Sequence, residues 1–265
     1  MCLILFSYRA HPDFPLLIAA NRDEFYSRPT APAAFWPDHP DLLAGRDLKS
    51  GGTWLGVTRC GRMAAVTNYR DPARAKPDAP SRGHLVLRFL TGNKTARAYM
   101  AHVAEQAPRY NGFNLLAADA EALYYFGSRG GGLRRLPAGL YGLSNHLLDT
   151  PWPKVDDGKT ALAEQLTGRA PFDPEAVFAT LADRGRAPDH RLPDTGMGLA
   201  WERVLSSRFI TSSTYGTRSS TLAAFGSNGR VRFVERTFIR GKETDTRSFS
   251  FPKTEDRDRS PPATR

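Results

Sequence analysis

The sequence predicts an α+β fold of antiparallel sheets with helices packed outside them, and three observations carry that expectation. Short apolar runs come in pairs joined by turn residues. Helical patterns lie between those pairs and do not alternate with single strands, and no repeat at solenoid or propeller periods runs through the 265 residues. At 40% hydrophobic content the chain can bury one large core, so residues 1–251 are expected to form a single domain.

The elements follow in chain order. "CLILFSY" and "LLIAANRD" are separated by "RAHPDFP", whose two prolines suit a turn, so they read as an antiparallel pair. "TWLGVTR" and "RMAAVTNY" flank "CG" as a second hairpin, which leaves Cys60 in a turn. Ser81 is placed to cap a helix through "GHLVLRFL", and "TARAYMAHVAEQ" continues helically with Tyr99 and Val103 one turn apart. "FNLLAAD" and "ALYYFG" read as strands. "GSRGGGL" lacks the lysine and hydroxyl of a phosphate loop and reads as a hairpin turn before "GLYGLSN". Asp173-Pro174 opens a helix whose apolar face is Val177, Phe178, Leu181 and Ala182, and Trp201, Val204 and Leu205 mark a shorter one. Asn228-Gly229, between two strand-like runs, is the strongest hairpin signal in the chain. Residues 252–265 are polar and proline-rich and are expected to form a disordered tail.

A formal charge of +10 raises nucleic acid, anionic lipid or acidic small molecules as partners. The arginines are dispersed and no basic run is interleaved with aromatics, so no nucleic-acid partner is expected. No stretch approaches the roughly 18 to 20 apolar residues that span a bilayer, and "CLILFSY" is short and lacks a basic leader. These features predict a cytoplasmic protein without stable membrane insertion. Cys2 and Cys60 belong to no C-x-x-C pair and the six histidines show no H-E-x-x-H spacing, so reduced thiols are expected, with no metal and no required cofactor. Nothing in the pattern sets the oligomeric state.

Cys2 follows the initiator methionine directly. Cysteine is small enough for Met1 to be removed, which leaves one residue carrying both a thiol and a free α-amine. An α-amine titrates near ~7.8 and a thiol near ~8.5, so modest shifts supply a reactive thiolate with its own base attached. The alternative is a small hydrophobe that starts a buried strand. Asn21, Arg22, Asp23 and Glu24 form a densely polar end to the apolar strand "LLIAA", where an arginine and carboxylates can orient one another and hydrogen-bond to an amine or thiol on the neighbouring strand. The alternative there is a strand leaving the core into solvent.

Cys2, "AANRDEFYSRP", "GGTWLGV", "TNYRDP", "GLSN" and "YGTRSSTL" together resemble the NRDE family, the transport and Golgi organisation protein 2 family, over residues 1 to about 240. That family resembles cysteine-type N-terminal nucleophile hydrolases. The resemblance implies a four-layer α-β-β-α sandwich of two antiparallel sheets flanked by helices. It also implies a catalytic set: Cys2 as nucleophile, Asp23 holding the amine, Asn68 in the oxyanion hole, Asn145 as a second site asparagine and Arg218 as a late-strand arginine. Asn21, Arg22 and Glu24 are the expected substrate-binding residues. In the resembling hydrolases the arginine stands three residues before the aspartate, whereas here Arg22 adjoins Asp23, and a continuous strand points them to opposite faces.

Two function classes are implied. One is hydrolysis of a non-peptide amide or thioester of a small acyl compound through Cys2. The other is a non-enzymatic carrier of haem or of acyl-CoA and lipid, acting as a haem-trafficking chaperone with haem as a bound ligand. His146 is read as a hydrogen-bonded histidine or an axial haem ligand, and Trp54 as core packing or a ligand contact.

Overall fold

The computed structural model describes residues 2–167 and 172–255. The chain begins with β1 (Cys2–Tyr8), β2 (Leu16–Phe25), β3 (Thr30–Trp36), β4 (His39–Asp47), β5 (Leu55–Thr58) and β6 (Met63–Asn68). Helices α1 (Gly83–Leu90) and α2 (Ala96–Gln106) lead to β7 (Phe113–Ala118), β8 (Leu123–Gly127), β9 (Gly132–Arg135) and β10 (Gly139–Leu143). Then come α3 (Pro153–Thr167), α4 (Pro174–Leu181), α5 (Leu199–Leu205), β11 (Tyr215–Phe225), β12 (Arg230–Ile239) and β13 (Lys242–Pro252). One antiparallel sheet has the order β10-β1-β2-β11-β12-β13, and β3 to β9 form the other in chain order.

Strand alternation sorts the side chains into layers. From β1 and β2, Ile4, Phe6, Ile18 and Ala20 point between the sheets, where they meet Leu43, Leu116 and Tyr125. Their neighbours Leu3, Leu5, Leu17 and Ala19 point outward against Val155 and Leu162 of α3 and Phe178 and Leu181 of α4. On the far side, Leu85 and Phe89 of α1 and Met100 and Val103 of α2 cover Ala64, Val66 and Leu115. The resulting order is helix, sheet, sheet, helix, as the resemblance implies. Each fully buried Leu or Phe contributes about 1.5–3 kcal/mol of transfer free energy to this arrangement.

The hairpins form where the sequence places them. Cys2 pairs with Arg22 and Tyr8 with Leu16, β5 pairs with β6, and β11 and β12 meet around Gly229, whose φ of 74° needs a residue without Cβ. Four details differ from the sequence expectation. Ser81 caps nothing with its side chain: Arg82 is the N-cap of α1, and Ser81 contributes only its carbonyl to the His84 N–H. Thr95 accepts from the Ala98 N–H and starts α2 as a separate helix. Ala182 is exposed just past α4, and Thr180 joins the buried face in its place. Trp201 is 37% exposed while Glu202 and Leu205 are the buried residues of α5.

The β3–β4 hairpin, β9, β13 and α3 lie beyond the sequence-derived elements. In the expected tail, Pro252 closes β13, and the N–H groups of Lys253 and Thr254 donate to Gly229 O and Arg59 O at 2.7 and 3.0 Å. Residues 256–265 lie outside the described residues. Among the described residues no helix is long and apolar enough to cross a membrane.

Candidate active site

The site forms where β1 begins and β2 ends. Because Cys2 and Arg22 are register partners, both side chains fall on the face between the sheets, while Asn21 and Asp23 fall on the helical face. A cavity of about 560 Å³ opens between the sheets there, and Cys2, Arg22, Asp23, Glu24, Asn68 and Arg218 line it. These residues come from β1, β2, β6 and β11, so four of the five residues expected to be catalytic meet at one cavity.

β2 is continuous through this point, and the irregularity sits in its neighbour. Thr217 pairs with Asp23 and Ser219 with Arg22, which leaves Arg218 as the extra residue of a β-bulge. Its Nη1 donates to the carbonyls of Phe25, Tyr26 and Arg28 at 3.0, 3.3 and 3.1 Å, clamping the chain as it leaves β2. Arg22 donates to Thr30 Oγ1 at 3.3 Å and lies 4.0 Å from Glu24. Glu24 also faces Arg28, which pairs with Asp47 at 2.6 Å.

On the helical face, Asp23 Oδ1 accepts from Thr217 Oγ1 at 2.7 Å. Asp23 is 2% exposed, and burial pushes its carboxyl up while the Lys154 charge pulls it back. Lys154, in the first turn of α3, is pushed down from 10.5 to about 8, mainly by burial, with Asp23 opposing. Burial pushes the Cys2 thiol up, and Arg22 and a backbone hydrogen bond from Asp23 draw it down. The resting thiol is therefore protonated until a nearby base takes its proton.

A polar seam ties the two sheets together behind Cys2. Ser144 Oγ donates to the Cys2 carbonyl at 3.0 Å, and Thr67 Oγ1 donates to Ser144 O at 2.7 Å. Asn145 is fully buried in this seam and its Nδ2 donates to Asn68 O at 2.9 Å. Asn145 thus fixes the backbone of Asn68 from behind and does not line the cavity.

Asn21 requires a correction. Its side chain donates to Leu181 O and Arg208 O and accepts from Ser220 Oγ, so it is fully buried in the helical layer and does not face a substrate. The strand alternation that brings Arg22 and Glu24 to the cavity carries Asn21 away from it. His146 has Nε2 against Tyr69 OH at 2.7 Å and Nδ1 against Thr150 Oγ1 at 2.8 Å, so both ring nitrogens are engaged within the protein. Trp54 packs against both cores and also borders the cavity. Cys60 is a free thiol in the β5–β6 turn.

Several site residues carried no sequence signal. Arg82, at the start of α1, lines the cavity and donates to Gly112 O. Glu235 closes the cavity on β12, accepting from the Ala33 N–H, and burial pushes its carboxyl up. An adjoining cavity of about 310 Å³ shares Glu24, Asn68 and Arg82 with the first, and Phe25, Met197 and Trp201 are among its apolar walls. Beneath it, Arg70 donates to Glu202 Oε2 at 2.5 Å, and both residues are buried. Arg70 stands in the quoted "TNYRDP", but its partner lies 132 positions away.

Residues 1–240 match the family model described as Transport and Golgi organisation 2. The chain is similar to the Transport and Golgi organization 2 homolog of Mus musculus, 36% identical over 274 residues covering 95% of this chain and 99% of that protein. The Homo sapiens homolog is 36% identical over 273 residues, covering 95% and 99%. Among solved structures, a mutant of the conjugated bile acid hydrolase from Clostridium perfringens aligns at TM-score 0.43 and 10% identity, covering 97% of this chain and 98% of that chain.

Proposed function

The chain belongs to the Transport and Golgi organisation 2 family, and on that premise we propose that it is a thiol hydrolase that cleaves a non-peptide amide or thioester of a small acyl compound through Cys2. The observation that carries this reading is the meeting of Cys2, Arg22, Asn68 and Arg218, from four strands, at one cavity, with Asp23 bordering it while its side chain turns to the helical face.

The chemistry follows from the groups present. Removal of Met1 leaves Cys2 with a free α-amine, which takes the thiol proton as the sulfur attacks the acyl carbonyl carbon. Asn68 donates to the developing oxyanion, held in place by Asn145, and Asp23 orients the amine. The carbonyl then reforms, the C–N or C–S bond breaks, and the amine returns its proton to the leaving group. Water attacks the acyl-Cys2 thioester, gives a proton to the amine and releases the acid, which restores the thiol. Arg82 and Arg218 are not ion-paired among the described residues and suit an anionic group on the substrate. The adjoining apolar walls suit the acyl portion. Such a thiol needs a reducing compartment, for which the cytoplasm is our reading, and both cysteines are free.

Two features favour a second reading, in which the protein carries haem or an acyl-CoA or other lipid: burial holds the Cys2 thiol up, and the cleft combines arginines with apolar walls. For haem the fit is incomplete, since His146 is already engaged and no histidine lines either cavity among the described residues.

Wild type and Cys2→Ala, treated with an electrophilic acyl probe, assayed against a panel of acyl amides and thioesters, and titrated with haem and long-chain acyl-CoA, separate the two. The hydrolase reading expects a mature chain starting at Cys2, labelling there, and turnover that Cys2→Ala lowers by about 10³-fold or more. Absence of turnover across the panel, with binding equal in both proteins, overturns it in favour of the carrier.

A further inference from the structure

Lys154 is the feature of the site's surroundings that packing does not explain. It is 3% exposed, and its Nζ hydrogen-bonds to no atom among the described residues. It also occupies the first turn of α3, where the helix dipole places positive partial charge, so burial and the dipole both act against its ammonium. An apolar side chain of the same length would remove both costs.

Its surroundings are charged from several directions. α3 packs on β10, α4 and β1, and the one charged residue of α4, Glu175, is paired with Arg236. The groups that act on Lys154 are Asp23 from β2, Arg70 from the segment after β6, Cys2 from β1 and Glu202 from α5. β10, "GLYGL", presents no charge. Glu202 is engaged by Arg70 and by Thr195. Asp23 is turned to this helical face by strand alternation, with Thr217 on one oxygen.

We propose that Lys154 is a positioning residue for Cys2: its buried ammonium, which makes no direct ion pair among the described residues, acts on Asp23 within the same helical layer, and through Asp23 it sets how readily the nucleophile gives up its proton. The proposal rests on the reading of Cys2 as nucleophile but not on any substrate. On the helical face the Lys154 charge offsets part of the burial that pushes the Asp23 carboxyl up, while on the opposite face Arg22 is the register partner of Cys2, so the two neighbouring residues act on Cys2 from two layers.

A double-mutant cycle tests it in a Cys60→Ser background, where alkylation by iodoacetamide is read at Cys2 by peptide mass across pH. Lys154→Met is expected to move the pH midpoint of Cys2 alkylation by about half a unit or more. In an Asp23→Asn background the same change is expected to move it by nothing measurable, because the coupled partner is gone. An equal shift in both backgrounds, or none in either, overturns the proposal. Should Lys154→Met fail to fold, carbon-13 carboxyl NMR of the wild type, with Asp23 assigned by comparison with Asp23→Asn, supplies the test. The Asp23 resonance is expected to show an inflection near pH 8 as Lys154 loses its proton, and a flat response there overturns the proposal. Alkylation needs no substrate, so this result stands apart from the turnover panel: coupling without turnover keeps Lys154 and removes the hydrolase.

Discussion

Arg62 and Lys154 are buried cations in opposite helical layers, and they are held in opposite ways. Arg62 lies under α1, where its Nη2 donates to the carbonyls of Phe89 and Lys94 at 2.7 and 2.9 Å and its guanidinium stacks on the Phe89 ring at 4.2 Å. Those carbonyls lie at and beyond the C-terminal end of α1, where negative partial charge welcomes a cation. Lys154 sits at the N-terminal end of α3, where the partial charge is positive, and no hydrogen bond satisfies its ammonium among the described residues. The layer over the seven-stranded sheet uses its charge to finish a helix. The layer over the six-stranded sheet keeps a charge against both burial and dipole, and covers the strand of the candidate nucleophile.

The largest effect expected from this contrast is in the packing layer. Phe89 is fully buried among Leu85, Met100 and Val103, so Phe89→Ala should lower stability by about 3–5 kcal/mol, read from the denaturant midpoint. It should leave the pH midpoint of Cys2 alkylation where it is. A loss below about 1 kcal/mol, or a shifted midpoint, would break the division of labour between the layers.

Next comes the pH dependence of Lys154. The folded chain holds its proton less tightly than the unfolded chain, about 8 against the ordinary 10.5, so between those values the unfolded state binds more protons. Stability therefore rises with pH across that window, is fully present above 10.5 and is lost as pH falls through 8. Relative to Lys154→Met, the wild type should gain on the order of 3 kcal/mol over the window. Parallel stability profiles for the two proteins would show that the ammonium is not strained in the fold.

The smallest effect belongs to Arg62. Arg62→Met should cost about 2 kcal/mol through its charge-assisted bonds to the α1 end. The loss should be constant from roughly pH 7 to 10, because arginine does not titrate there. A pH-dependent loss, measured by the same denaturant series, would mean that the two cations are coupled and not independent.

Much of this was legible because it is local. The pairing of "CLILFSY" with "LLIAANRD", the β5–β6 turn and the Asn228-Gly229 hairpin all rest on alternation and turn chemistry that act over a few residues. The elements that escaped have local patterns at odds with their roles. β3 and β4 contain Pro32 and Pro40, and β13 is mostly exposed and polar, as suits a sheet edge. α3 carries Gly158 in its interior, which costs helix propensity. A Cβ there would come within 2.9 Å of Leu5 Cδ1, so close approach to β1 requires the glycine.

The sequence by itself determined the strand pairs and the family resemblance, and it offered Cys2, Asp23, Asn68, Asn145 and Arg218 as candidates, because those signals are carried by short motifs in order. Adjacency in "NRDE" also showed that Arg22 and Asp23 must part to opposite faces. Only the tertiary structure decided what waits on each face: a cavity that Asn68 and Arg82 line together with Arg22, and a helical layer that holds both Asp23 and the buried Lys154. It also carried Asn21 out of the site and placed Asn145 behind Asn68. The physical reason is that these contacts join residues from tens to well over a hundred positions apart, brought together by burying the apolar faces of strands and helices. That driving force is non-directional, so no local pattern announces which polar side chains it will bring together.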